Sequence, residues 1–240
     1  MYLVLLTALG VGGATVFGSV LGFLCKRVTE RFSDVVLSLA AGVMLAAAVI
    51  GLILPSLEGG GGWWVSIVGI FAGALCLTLA DKLLPFLRPH CGAGRSGVLL
   101  FVAAIAIHNL PEGIAAGVGF GVGDVSGALV IAGSIALQNI PEGMVIVAPM
   151  LASGISPRRT FLVALFTGAI EVVGTFVGYF AVRVAVAMLP FALGFAGGTM
   201  LYVIGDEMIP QAHAQGKGYT ASYALLVGFC LALVLNLLLS

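Results

Sequence analysis

Two short polar motifs interrupt the long apolar runs of this chain. HNLPEG occupies residues 108–113 and QNIPEG occupies residues 138–143, and hydrophobic stretches flank both. Each motif combines an imidazole or amide, a second amide and a carboxylate, which are nitrogen and oxygen groups that bind divalent metal ions. The candidate ligands from the two motifs are His108, Asn109, Glu112, Gln138, Asn139 and Glu142.

Helical spacing places the polar groups of each motif on one face. In both motifs the first residue precedes the glutamate by four positions, so the two side chains lie one above the other on a helix. The asparagine precedes the glutamate by three positions, which keeps it on a neighbouring part of that face. If the two helices are antiparallel neighbours, their polar faces meet and form a ring of metal-binding groups.

The proline of each motif adds a backbone argument. Pro111 and Pro141 each remove one N–H and free a carbonyl group one turn earlier, at residues 107 and 137. Freed backbone groups are tolerated inside a bilayer only where something else satisfies them. A bound cation or a water-filled path would do so. Gly113 and Gly143 lie at the same level and have no side chain, so other helices can approach closely there.

Composition places these motifs in a membrane. Of the 240 residues 61% are hydrophobic and 8% are charged, and the mean hydropathy is +1.21, whereas soluble domains carry about 25% charged residues. We therefore predict an all-α integral membrane protein. The formal net charge is zero and no basic tract occurs, so no nucleic-acid partner is indicated.

Apolar runs of about 20 residues predict eight transmembrane helices in a single transmembrane domain spanning residues 1–240. The runs are 2–24, 34–55, 64–84, 97–121, 126–150, 160–183, 188–210 and 220–239. The loops after the first, third and fifth runs contain most of the basic residues, so we expect them to be cytoplasmic and both termini to be extracytoplasmic. These residues are Lys26, Arg27, Arg31, Arg88, Arg95, Arg158 and Arg159.

Glu171 lies at the middle of the sixth run, at the same depth as both motifs. An acidic residue at a helix centre costs about 2.5–3.5 kcal/mol on insertion scales, so three such residues indicate a function. One alternative is a structural polar cluster that locks the helices together through hydrogen bonds.

The paired motifs and Glu171 resemble the ZIP family of divalent-metal transporters, and the resemblance covers essentially the whole chain. It implies eight helices, both termini outside, and two three-helix sets related by pseudo-symmetry around helices four and five. It also implies a binuclear site that moves metal into the cytoplasm across the plasma (inner) membrane by alternating access.

The resemblance further implies two ligand sets. One position would use His108, Glu112, Gln138 and Glu142, with Met44 of helix two as a further candidate; packing alone is the alternative for Met44. The second position would use Asn109, Asn139 and Glu171 and share both glutamates. Relatives often have an acid at the place of Asn139. Asp206, Glu207 and His213 would receive metal on exit, or form a solvated helix end.

The donor set mixes nitrogen with oxygen and contains no thiolate, which favours Zn²⁺, Fe²⁺, Mn²⁺ or Cd²⁺ over Cu⁺. With the family resemblance, Zn²⁺ is the ion that we expect first. We expect these ions as transported substrate and not as catalytic cofactor, and the chain as a transporter and not an enzyme. The expected partners are divalent ions and the lipid bilayer, and a homodimer is left open. An intramembrane metal-dependent hydrolase and a channel-like metal pore are the alternatives that use the same residues.

Overall fold

The computed structural model describes residues 1–24, 30–83, 93–123, 125–152, 154–184, 186–214 and 218–239. Over these ranges the regular structure is entirely helical. The α-helices are α1 Tyr2–Leu24, α2 Glu30–Ala46, α3 Leu54–Glu58, α4 Trp63–Leu83, α5 Ala93–Val122, α6 Val125–Ala152, α7 Pro157–Val184, α8 Leu189–Val203, α9 Ile209–His213 and α10 Gly218–Leu239.

Seven stretches of the described chain are long and apolar enough to cross a membrane. They are Tyr2–Leu24, Asp34–Glu58, Trp63–Ala80, Val125–Val147, Pro157–Arg183, Leu189–His213 and Tyr219–Leu238. The remaining predicted run, 97–121, falls within the 30-residue helix α5. The structure does not describe most of the side chains in the first half of that helix. The fold is therefore an all-helical integral membrane bundle.

Two of the spans contain a π-helical segment that the apolar pattern did not predict. Ala47–Ile53 joins α2 to α3, and Ile204–Met208 joins α8 to α9. In each case the residue after the segment donates its backbone N–H to a carbonyl five positions earlier, and a proline follows (Pro55 or Pro210). A proline ring clashes with the carbonyl one turn earlier in a regular α-helix, and widening the turn accommodates it.

The helices pack in matching pairs. Helix α1 packs along α6, and α5 packs along α7; α4 packs along α8, and α2 packs along α10. Helix α1 also packs against α7, and α5 against α6, so that α1, α5, α6 and α7 form one four-helix group. This group contains both polar motifs and Glu171.

Candidate metal centre

Glu171 is the acceptor of a buried hydrogen-bond network that joins four helices. Its Oε1 accepts from Thr15 Oγ1 of α1 at 2.6 Å and from Asn109 Nδ2 of α5. Its Oε2 accepts from Asn139 Nδ2 of α6 at 2.6 Å. All four side chains are fully buried. The buried carboxylate of α7 is therefore satisfied by donors from three other helices, as a buried charge requires.

A second contact joins the two motifs directly. Gln138 Nε2 donates to Glu112 Oε1 at 2.7 Å, and the two side chains are 2% and 1% exposed. Glu142 is half-buried and follows Gln138 by one helical turn on α6. The structure thus brings Asn109 and Asn139 to Glu171, and Gln138 to Glu112, so that the two motifs meet between α5, α6 and α7.

Four buried oxygens of this cluster accept no hydrogen bond from any described residue. They are Asn109 Oδ1, Glu112 Oε2, Gln138 Oε1 and Asn139 Oδ1. A buried polar atom without a partner costs about 1–3 kcal/mol, so four of them in one cluster need an explanation. Because all four are acceptors from amides or a carboxylate, bound cations would satisfy them.

The glycine of each motif allows a close helix crossing beside this cluster. A Cβ on Gly113 would lie 2.3 Å from the backbone oxygen of Glu171, and a Cβ on Gly143 would lie 2.1 Å from that of Thr15. Any larger residue would push α5 away from α7, or α6 away from α1. The motif glycines therefore bring together the helices whose side chains form the network.

Not every candidate belongs to the described network. The backbone of His108 lies in α5, but its side chain is outside the described part of the structure. Met44 is 2% exposed and belongs to the main apolar cluster of the bundle, together with residues such as Ile135 and Met200. Among the described side chains, no group of three His, Cys, Asp or Glu meets the geometry of a metal site.

The three candidates for an exit route lie near the end of the seventh predicted span. Asp206 is exposed and Glu207 is half-buried, both on the second π-helical segment. His213 ends α9, and its ring nitrogens contact the carbonyl oxygen of Ile209 at 2.9 Å and Ser222 Oγ at 3.4 Å. These three residues therefore lie on helical segments that contribute no described side chain to the hydrogen-bond network around Glu171.

Comparison with known proteins identifies the family. The model of the ZIP Zinc transporter family matches residues 88–236, which include both motifs and Glu171. The chain belongs to the ZIP zinc transporter family. It is accordingly an integral, multi-pass membrane protein, as its apolar helices also indicate.

Curated ZIP relatives extend the match beyond that range. The chain is 41% identical to zinc transporter GufA of Myxococcus xanthus over 70% of its own length and 69% of that protein's. It is 35% identical to zinc transporter ZupT of Chlorobaculum parvum, covering 95% of this chain and 94% of the relative. With zinc transporter ZIPB of Bordetella bronchiseptica the identity is 34%, over 93% and 77% of the two chains.

Sequence reasoning missed Thr15 as a member of the polar cluster. A lone threonine in an apolar helix is unremarkable, because its hydroxyl can bond to its own backbone. The available signal was the run of glycines around it, Gly12, Gly18 and Gly22, which indicates close helix packing. That signal does not reveal which carboxylate the hydroxyl meets.

Proposed function

We propose that this ZIP-family chain transports divalent transition-metal ions, with Zn²⁺ as the main substrate, across the plasma (inner) membrane into the cytoplasm. The observation that carries the proposal is the set of four buried oxygens without hydrogen-bond donors, on Asn109, Glu112, Gln138 and Asn139. Their helices meet at the middle of the bundle, where a cation on its way across must shed water and find other ligands. The zinc transporters named above support the choice of ion.

The proposed site is binuclear. His108, Glu112, Gln138 and Glu142 would hold one ion, with Met44 as a further ligand. Asn109, Asn139 and Glu171 would hold the other, and Glu112 and Glu142 would bridge the two. Neutral amides add ligands without adding charge, so the ions bind moderately and are released, as transport requires.

Access from the outer side is supported by a cavity. A space of about 400 Å³ is lined by the first π-helical segment and α3, the C-terminal part of α5, the N-terminal part of α6, the start of α8 and the end of α10. By the loop charges, all of these helix ends are extracytoplasmic, as are both termini. A smaller adjoining cavity reaches Ser134, one helical turn before Gln138 on α6.

The helix pairs support an inverted repeat as the basis of alternating access. Consider an exchange of α1 with α7, of α5 with α6, of α2–α3 with α8–α9, and of α4 with α10. This exchange turns the α1–α6 pair into the α7–α5 pair and the α4–α8 pair into the α10–α2 pair. Both α2–α3 and α8–α9 contain a π-helical segment followed by a proline. Rocking of one set of helices against the other would then expose the central site to each side in turn. Asp206, Glu207 and His213 would receive the ion on the cytoplasmic side.

Radioactive zinc uptake into proteoliposomes tests the proposal. The wild type should show saturable uptake, and Glu142→Ala and His108→Ala should lose most of it at equal reconstitution levels. Uptake that rises without saturation would favour a pore over a carrier. Absence of uptake with zinc, Fe²⁺, Mn²⁺ and Cd²⁺ alike would overturn the proposed function.

A further inference from the structure

We propose that Thr15 of α1 is a positioning residue of the metal site. It holds the Glu171 carboxylate in the orientation from which Asn109 and Asn139 present their amide oxygens to the cation. The inference rests on the proposed function and extends the site to a helix without any assigned ligand. Thr15 also lies outside the range 88–236 that the family model matches.

Hydrogen bonds connect Thr15 to Asn109 and Asn139 through the Glu171 carboxylate. Thr15 is fully buried and donates to Glu171 Oε1 at 2.6 Å. Asn109 and Asn139 direct their Nδ2 groups to the same carboxylate. An amide that donates through its nitrogen must present its oxygen elsewhere, so the position of Glu171 determines where Asn109 Oδ1 is directed. Glu171 determines the direction of Asn139 Oδ1 together with the backbone oxygen of Val11 of α1, which also accepts from Asn139 Nδ2, at 3.3 Å. Both of these oxygens are buried and accept no hydrogen bond within the described structure.

Helices α1 and α7 have related sequences and pack with Thr15 and Glu171 at equivalent positions. Glu171 follows Thr15 by 156 positions, and at this separation GGATVFGSVLGFL of α1 matches GAIEVVGTFVGYF of α7, with Gly, Val, Gly and Gly identical. A Cβ on Gly12 would lie 2.3 Å from the oxygen of Gly168, and a Cβ on Gly168 would lie 2.4 Å from the oxygen of Gly12. This reciprocal contact places the two equivalent positions opposite each other.

The neighbouring helices repeat the correspondence. Gly143 of α6 contacts the backbone oxygen of Thr15, as Gly113 of α5 contacts that of Glu171. Gly18 of α1 meets Ile140, and its match Gly174 of α7 meets Leu110, the residue at the same place in the other motif. Thr15 therefore occupies in the first half of the bundle the position that Glu171 occupies in the second half.

A hydroxyl suits this position for a physical reason. A second carboxylate beside Glu171 would add a like charge in a buried site, and an apolar side chain would remove one of the three donors that satisfy Glu171. Threonine supplies a neutral donor with little side-chain freedom, because it is β-branched. Residues that fix a ligand's orientation in this way typically change metal affinity about 10–100-fold when they are replaced.

Three substitutions at Thr15 separate the hydroxyl from the methyl group. Thr15→Val keeps the shape and removes the donor, Thr15→Ser keeps the donor, and Thr15→Ala removes both. The matched control is Thr199→Val in α8, since Thr199 is also buried (1% exposed) and donates only within its own helix, to the carbonyl oxygen of Ala196. Zinc affinity of the purified full chain is measured by isothermal titration calorimetry, and zinc uptake is measured in proteoliposomes.

The proposal predicts that Thr15→Val raises the zinc Kd and the uptake KM by about tenfold or more, with a smaller change in maximal rate. Thr15→Ser and Thr199→Val should stay within about twofold of the wild type. If Thr15→Val does not fold, Thr15→Ser and Thr15→Ala give the same comparison, because they differ only in the hydroxyl. Wild-type affinity in Thr15→Val, or equal loss in Thr15→Ser and Thr15→Ala, would overturn the role of the hydroxyl. Absence of zinc binding by the wild type would overturn the proposed function as well.

Discussion

Gln138 of α6 donates a hydrogen bond to Glu112 of α5 at 2.7 Å, and the remaining oxygen of each side chain accepts no hydrogen bond from the described residues. The contact links the two polar motifs to each other. Both of these oxygens are buried, and a bound divalent ion would satisfy them.

Replacement of Gly143 tests the close crossing of α6 and α1. A Cβ at this position would lie 2.1 Å from the backbone oxygen of Thr15, so Gly143→Ala must separate the two helices. We expect a loss of about 1–3 kcal/mol in the free energy of unfolding, seen as a lower Tm of the purified protein.

Gly133→Ala provides the matched control on the same helix. There a Cβ would meet only Leu235 Cδ2, at 3.7 Å, which is ordinary van der Waals contact. Its Tm should be unchanged or higher, because alanine favours the helix over glycine. Equal Tm values for the two variants would contradict the close crossing.

Asn139→Asp tests the charge of the second metal position. Asn139 Nδ2 donates to Glu171 Oε2 at 2.6 Å, and an aspartate there would replace this bond by repulsion between two carboxylates. We expect a lower Tm without metal and a larger zinc-induced rise in Tm than in the wild type, because the extra charge strengthens zinc binding. A zinc-induced rise equal to that of the wild type would show that Asn139 is not beside the ion.

Zinc binding should weaken as the pH falls. Imidazole and carboxylate groups bind metal only in their deprotonated forms, so protons compete with the ion and are released when it binds. Titration calorimetry in two buffers of different ionisation enthalpy measures the number of protons released per zinc ion. Binding that is equally tight at pH 5.5 and 7.5, with no proton release, would exclude the proposed His108 and carboxylate ligands.

Much of this arrangement follows from the sequence because it depends on spacing within single helices. The i, i+3 and i, i+4 positions place Asn109 and Gln138 beside the glutamates of their motifs, and apolar length predicts the membrane spans. Glu171 is conspicuous because a carboxylate in the middle of an apolar helix is costly. These features need no knowledge of how the helices meet.

The features that the sequence did not predict depend on contacts between helices or on the backbone. The bond from Thr15 to Glu171 requires α1 to cross α7 at Gly12 and Gly168, and this crossing is a property of the assembled bundle. The π-helical segments before Pro55 and Pro210 involve one backbone register shift each. Hydropathy predicts neither the helix crossing nor the π-helical segments, because it measures how apolar a run is and not which backbone hydrogen bonds form within it.

The most direct test of the central claim is zinc binding and uptake by Glu112→Gln. The variant keeps the size of the side chain and an acceptor for Gln138, but it removes the charge beside the unpartnered oxygens. Glu58→Gln is the control, since Glu58 is an exposed carboxylate at the end of α3. We predict that Glu112→Gln folds normally and loses at least about tenfold in zinc affinity and uptake, whereas Glu58→Gln matches the wild type. Wild-type binding and uptake by Glu112→Gln would contradict a metal site at the two motifs.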